Sequence, residues 1–224
     1  MVKNRLYSIP LLLGVSFLLQ LPARAQRKVV SELTLVYDYS AGPANKDKPE
    51  ATENAIHTIY IKGNLSRSEM TSSLFSSTTI FDANTGFAVI LKEVSGQKLL
   101  IRLNPDNWSE RNRIYDGIVF KNTAESKTIA GYHCIKAMGQ TSSGATITVY
   151  YTRDLIPENR QYDPPFRTLD GLPLEYELTN GNVKIHYKVS SISMNPVPAS
   201  KFDVPNSGYR EMNYEESKKM NLGK

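Results

Sequence analysis

Residues 172–189 alternate between apolar and polar side chains with a period of two, a pattern that suits a half-buried strand and no helix. Leu172, Leu174, Tyr176 and Leu178 are separated by Pro173, Glu175, Glu177 and Thr179. Beyond Asn180-Gly181 the alternation resumes, Val183, Ile185, Tyr187 and Val189 being separated by Lys184, His186 and Lys188. Asn-Gly tolerates the positive φ that a type I′ turn demands at both central residues, so the stretch reads as a β-hairpin. A two-residue turn at 180–181 predicts Leu178 opposite Val183, Tyr176 opposite Ile185 and Leu174 opposite Tyr187. It also pairs Glu177 with Lys184 and Glu175 with His186 on the other face. One face is apolar and the other carries opposite charges, and both favour the hairpin.

The remainder is β as well. Leu33, Leu35, Tyr37 and Tyr39 share one side of a strand over 31–39. Short strands are predicted at 56–62, 68–73, 78–82, 87–94 and 98–103, with turns at 82–86 and at Ser95-Gly96. A polar loop spans 41–53, and a short helical turn is expected at 105–111. Strands are then expected at 114–121, 128–138 and 145–152. The stretch 98–103 is apolar on both sides and needs cover on both faces. Closely spaced short strands without a long helical period indicate an all-β, mainly antiparallel fold, a curved meander sheet with little helix.

The first 25 residues stand apart. Lys3 and Arg5 precede an apolar run over 9–21, and Ala23-Arg24-Ala25 forms an A-x-A cleavage site, the layout of a secretory signal peptide. The apolar run, broken by Pro10 and Gly14, is too short to span a bilayer. Cleavage after Ala25 leaves one domain over 26–224, ending in a polar tail over 206–224. Loss of Lys3, Arg5 and Arg24 takes the net charge from +5 to +2, which removes most of the support for a nucleic-acid partner. No cysteine flanks the cleavage site, so a lipoprotein anchor is not expected. Cys134 is the single cysteine and can form no intrachain disulfide. The expected location is the periplasm or the exterior, peripheral to a membrane at most.

No catalytic set stands out: G-x-S-x-G, H-E-x-x-H, C-x-x-C, phosphate-loop and calcium-loop spacings are all missing. Histidine is limited to His57, His133 and His186. His133 and Cys134 are adjacent, but strand neighbours point to opposite faces, so Cys134 reads as structural. No metal site and no cofactor are expected, and the chain does not read as an enzyme. Tyrosine is abundant, 13 in all. Tyr37, Tyr39, Tyr60, Tyr132, Tyr150, Tyr151, Tyr176 and Tyr187 all fall in expected strands, consistent with β-propensity or with an apolar cleft rimmed by phenols.

Ile129-Ala130-Gly131-Tyr132-His133-Cys134-Ile135-Lys136-Ala137 is similar to the I-x-G-Y-x-C-x-K-A strand of the GLPGLI family of exported β-proteins. Val149-Tyr150-Tyr151-Thr152 is similar to the strand that follows. Gly171-Leu172-Pro173 matches half of the name-giving motif, after which Leu174, Glu175 and Tyr176 depart from it. Phe202-Asp203-Val204-Pro205 fits the F-x-x-P ending. The resemblance implies a relative of the LolA/LppX superfamily, in which an antiparallel half-barrel wraps a hydrophobic concavity. It marks Gly131, Tyr132, Cys134, Gly171, Leu172 and Pro173 as motif positions. The functional expectation is an envelope binding module holding a lipid or apolar peptide against Leu174, Tyr176, Leu178, Val183, Ile185 and Tyr187. The alternative is an interaction protein with a self-filled core and another envelope protein docked at a sheet edge.

Overall fold

The computed structural model describes residues 27–43, 54–180 and 182–220. The expected leader over 1–25, the 44–53 part of the expected polar loop and residues 221–224 of the expected tail lie outside them, as does Gly181. The chain opens with a three-residue strand, β1 (Lys28–Val30), followed by an up-and-down series: β2 (Glu32–Pro43), β3 (Asn54–Lys62), β4 (Leu65–Thr71), β5 (Phe75–Asp82), β6 (Ala88–Val94) and β7 (Gln97–Leu103). A short helix, α1 (Pro105–Asn112), leads to a second series. This comprises β8 (Lys121–Ile129), β9 (Tyr132–Gln140), β10 (Thr146–Thr152), β11 (Leu155–Pro157), β12 (Leu172–Asn180) and β13 (Val183–Ser193). The chain ends with β14 (Arg210–Met212) and helix α2 (Tyr214–Lys219).

Twelve of these strands form one open sheet in the order β14-β7-β6-β5-β4-β3-β2-β13-β12-β10-β9-β8. The two meanders join where β13 pairs antiparallel with β2, bringing Tyr187 beside Tyr39. The sheet is antiparallel except for β14, which lies parallel to β7. β1 and β11 form a separate parallel pair. No helix among the described residues is long and apolar enough to cross a membrane.

Curvature follows from what faces what. Thr79 and Phe81 of β5 border the same cavity as Tyr176 and Leu178 of β12. These strands are five spacings apart in the sheet, which in a flat sheet would separate them by about 24 Å. The concave side carries the main core, with Leu33, Leu35 and Tyr37 of β2 packed among Ile59, Ile61, Leu174 and Tyr176. The opposite side of β3–β5 is covered by the segment before β14. There Val197 and Phe202 pack with Ile80 beside Tyr60 and Leu65, and the Val197 backbone N–H donates to Glu32 Oε2 at 2.6 Å. The two-sided apolar strand β7 is buried at Leu99, Leu100, Ile101 and Leu103, in part beneath Met212 and Tyr214. Within the expected polar tail, residues 210–219 are folded: β14 extends the sheet, and α2 begins with a capping box between Asn213 and Glu216.

The structure departs from the sequence expectations at three further places. Residues 128–138 are a hairpin rather than one strand. Ala130 (φ +48°) and Gly131 (φ +84°) make a turn of the type I′ sense between β8 and β9, concealed by an alanine at a position that favours Asn or Gly. Residues 114–121 are not a strand: Arg113–Tyr115 forms a 3-10 turn, and the chain reaches β8 only at Lys121. In the 172–189 hairpin the register is displaced by one residue on each strand. Leu178 sits opposite Ile185, Tyr176 opposite Tyr187 and Asn180 opposite Val183, so the connection falls at 181–182. A displacement of one residue on both strands keeps every side chain on its original face, and alternation cannot distinguish the two registers. The expected charge contacts survive as diagonals, Lys184 Nζ–Glu177 Oε2 at 3.6 Å and His186 Nε2–Glu175 Oε1 at 3.2 Å.

Candidate functional site

A cavity of about 280 Å³ lies between the concave sheet face and a roof made by α1, Tyr115 and residues 162–165. Each part of the roof has a local cause. The Asn104 side chain caps α1 by accepting from the Asn107 N–H at 2.8 Å, and Pro105 fits the first helical turn, where no N–H is needed. Trp108 then stacks on Phe81 of β5 with ring centroids 4.6 Å apart, fastening the helix to the sheet. One turn further on, Arg111 turns toward the cavity. The second part of the roof comes from two 3-10 turns, Arg160–Tyr162 and Pro164–Phe166. Asp163 between them is held extended (φ −139°, ψ 100°), as a residue preceding proline prefers. Asn159 anchors this loop by donating from Nδ2 to the Asn64 carbonyl at 3.1 Å, and Phe166 packs edge-on against Tyr176.

The floor is aromatic. Tyr176 and Tyr187 stack at 4.5 Å, and His57 lies between Tyr37 and Tyr187 at 5.8 and 5.5 Å. His57 Nε2 bonds Ser68 Oγ at 2.8 Å. Burial pushes the His57 imidazole down to about 4, so the ring is neutral at ordinary pH.

Four polar atoms around this cavity are shut off from solvent and lack a hydrogen-bond partner: His57 Nδ1, Arg111 Nη1, Tyr162 OH and Asp163 Oδ2. Asp163 as a residue is only half-buried, but its Oδ2 has no contact with solvent. Burial raises its carboxyl to about 7 and lowers the Arg111 guanidinium below its ordinary value. Tyr115 responds to both: burial and the Asp163 charge raise it, while Arg111 lowers it. A buried polar group without a partner costs about 1–3 kcal/mol. Four around one small volume call for an explanation such as an ordered water or a bound molecule.

The sequence-predicted ligand face divides between two cavities. Tyr176, Leu178 and Tyr187 border the first. Leu178, Val183 and Ile185 border a second of about 300 Å³ with Ile147 and Ile114, and Tyr115 separates the two. Leu174 is fully buried in the core. Val183 is half exposed, and Ile185 is half-buried. His57, Trp108, Arg111, Tyr162 and Asp163 were not anticipated. The available signal was the stretch 153–171, long, poorly alternating and interrupted by Pro164-Pro165, since long irregular segments within a compact domain tend to be functional.

The motif positions have architectural work. Gly131 occupies the β8–β9 turn, and Tyr132 is half-buried. At Gly171 a Cβ would stand 2.1 Å from the Thr152 carbonyl oxygen, so no side chain fits. Leu172 is fully buried. Pro173 sits where the β10–β12 register shifts, and its carbonyl accepts from Tyr37 OH at 2.8 Å. A bulge is where proline is tolerated inside a sheet. Cys134 is buried, its Sγ 3.5 Å from the Tyr132 carbonyl, and burial pushes the thiol up to about 11. Glu175 accepts from Lys127 Nζ at 2.8 Å and lies 3.2 Å from His186. Burial raises this carboxyl, but the bonds from His186 and Lys127 outweigh it and hold the group at about 2. No group of three or more metal-ligating side chains occurs among the described residues.

No protein-family model matches the chain, and no curated protein matches it. Similar architectures are found among solved structures. A protein named PNGF-II aligns with a TM-score of 0.51 at 17% identity, over 85% of this chain and 33% of its own; the chain thus spans about a third of that protein's length. An uncharacterised conserved protein from Thermus thermophilus aligns with a TM-score of 0.51 at 11% identity, over 82% of this chain and 91% of its own. At these identities the likeness is one of fold. The second match covers most of both chains.

Proposed function

We propose that the protein is an exported envelope binding module that holds a small ligand in the roofed cavity of its curved sheet. The observation that carries this reading is that four residues bordering one aromatic-floored volume, His57, Arg111, Tyr162 and Asp163, each hold a buried polar atom without a partner. Small-molecule sites combine a largely apolar lining with a few converging polar groups in this way. The polar groups favour a ligand that presents hydrogen-bonding chemistry in the first cavity. An apolar portion can extend past Tyr115 toward Leu178, Val183 and Ile185, which retains part of the hydrophobic-ligand expectation. Docking at a sheet edge is less favoured: edge strand β8 carries Lys121, Glu125 and Lys127 and a register irregularity, both of which discourage strand addition.

A second reading rests on Asp163, whose carboxyl near 7 in a closed site has the character of a general acid or base. Binding is preferred because Asp163 Oδ2, His57 Nδ1 and Tyr162 OH make no hydrogen bond among the described residues that would mark an activated nucleophile. Native mass spectrometry of protein exported by its own cells tests the proposal. One small molecule per chain is expected, released intact, and lost from Leu178→Trp, which places an indole at both cavities. A chemically altered molecule would favour the enzyme reading, and an unliganded chain would refute the binding reading. N-terminal sequencing of the same material is expected to begin at Gln26; a start at Met1 would refute export by cleavage.

A further inference from the structure

A second hollow lies beside α1, between that helix and α2. This cleft of about 650 Å³ is larger than the roofed chamber, and residues 110–115, Tyr214 and Lys218 border it. Ile114, Tyr115 and Tyr214 give it an apolar lining, Ile114 being 43% exposed. Its charged residues are Glu110, Arg111, Arg113 and Lys218. Lys218 is already matched, its Nζ lying 2.8 Å from Glu110 Oε1 and 3.3 Å from Glu215 Oε1. Arg111 and Arg113 make no ion pair with another described residue. We propose that the cleft binds an organic anion with an apolar body, its acidic group on the exposed Arg113 and its body against Ile114, Tyr115 and Tyr214.

This site is separate from the roofed chamber and goes beyond the function proposed for it. Charge sets the sign of the ligand. Glu110, the one acid bordering the cleft, is held by Lys218, which leaves two arginines without a carboxylate. The carbonyl end of α1 offsets about half a unit of their charge and leaves the rest. Arg113 is exposed and can meet an anion directly. Arg111 Nη1 is shut off from solvent, so that nitrogen contributes charge rather than contact. The same positive field reaches β6, where burial first and the Arg111 charge second hold the Lys92 ammonium below its ordinary value. Volume and lining set the body. About 650 Å³ corresponds to roughly twenty water volumes, room for a molecule of about twenty non-hydrogen atoms and too little for a two-chain phospholipid. A largely apolar lining with a few charged groups is the usual composition of a small-molecule site. A bare inorganic anion would leave that lining uncovered, and a neutral apolar molecule would leave both arginines unmatched.

Anilinonaphthalenesulfonate and its uncharged parent phenylnaphthylamine share one apolar skeleton, and only the first carries an acidic group. Both brighten in apolar sites, so fluorescence titration of the native protein gives each affinity. The sulfonate is expected to saturate, and its affinity to fall with rising salt while that of the parent does not. Arg113→Gln should weaken the sulfonate roughly fivefold and leave the parent within about twofold. Arg160→Gln removes the same charge from an exposed arginine outside the cleft and should move neither probe beyond about twofold. Leu178→Trp fills the roofed chamber and its neighbour but does not touch the cleft, so sulfonate binding should persist. If a variant fails to fold, the opposite salt responses of the two probes on the wild-type protein decide alone. The proposal is overturned by an absence of saturable sulfonate binding, by equal losses in Arg113→Gln and Arg160→Gln, or by a parent weakened as much as the sulfonate in Arg113→Gln. Loss of the sulfonate from Leu178→Trp would also overturn it, by placing the probe in the roofed chamber, and would leave the binding module standing.

Discussion

Replacing Gly171 by alanine tests how the sheet is shaped at the point where β12 enters the core. The added Cβ would lie 2.1 Å from the Thr152 carbonyl oxygen, 2.8 Å from Tyr151 Cδ2 and 2.9 Å from the Thr152 carbonyl carbon. The nearest obstacle is backbone, which cannot rotate away as a flexible side chain could. The strands must separate at the β10–β12 register shift, next to fully buried Leu172. The hydrogen bond from Tyr37 OH to the Pro173 carbonyl lies in the path of that movement. Overpacking of this kind costs about 1–3 kcal/mol, and loss of a buried hydrogen bond adds about 1. An expected destabilisation of about 3 kcal/mol lowers the melting temperature by about 6–12 °C in a domain of this size. Gly131→Ala is the control. Its Cβ would meet nothing within 4 Å, so only the left-handed backbone is penalised, at about 1–2 kcal/mol. Urea denaturation of the two variants beside wild type measures both. A Gly171→Ala midpoint within about 0.5 kcal/mol of wild type, or equal losses for the two glycines, would refute the close-approach argument.

Three further outcomes follow from the buried titrating groups. Asp163 has its folded-state value raised from 3.8 to about 7, so its contribution to stability is fullest below pH 4 and is lost as pH rises through 7. Ligand-free Asp163→Asn should therefore gain on wild type across that window in pH-dependent melts; a constant difference would contradict the burial of Oδ2. Glu175 has its value lowered from 4.5 to about 2, so its contribution is present above pH 4.5 and is lost as pH falls toward 2. Glu175→Gln should cost about 1–2 kcal/mol at pH 7 and lose less than wild type on acidification, and parallel acid titrations would show otherwise. Native Cys134 should resist a thiol reagent at pH 8 and react promptly in denaturant, because its thiol is buried and raised to about 11. Prompt modification of the folded protein would place the sulfur at the surface.

The fold was largely legible because alternation encodes burial directly in a strand. Leu33, Leu35 and Tyr37 face the core as their spacing demands, and so do Leu174 and Tyr176. Register was not legible, since a one-residue displacement on both strands of the 172–189 hairpin preserves every face. The β8–β9 turn was hidden by Ala130, and the apolar Ile114, Ile118 and Val119 imitated a strand across Asp116-Gly117. The site was the least legible part. Tyr176, Leu178 and Tyr187 could be placed on the cavity side because they lie on strands, where position predicts direction. Arg111 lies in the last turn of α1 and Asp163 between two 3-10 turns, far apart in sequence, and both border the cavity only because the sheet curls beneath them. No local pattern encodes that placement. Resemblance to an exported family pointed to a concavity, yet its Gly-Leu-Pro motif serves the sheet entry rather than the cavity.

A crystal structure of the protein purified from its native cells, at a resolution that distinguishes water from a bound molecule, tests the central claim most directly. The account predicts continuous non-water density in the chamber between the Tyr176–Tyr187 stack and the α1 roof. A chamber holding only isolated waters that satisfy all four buried polar atoms, or one closed by its own side chains, would contradict it.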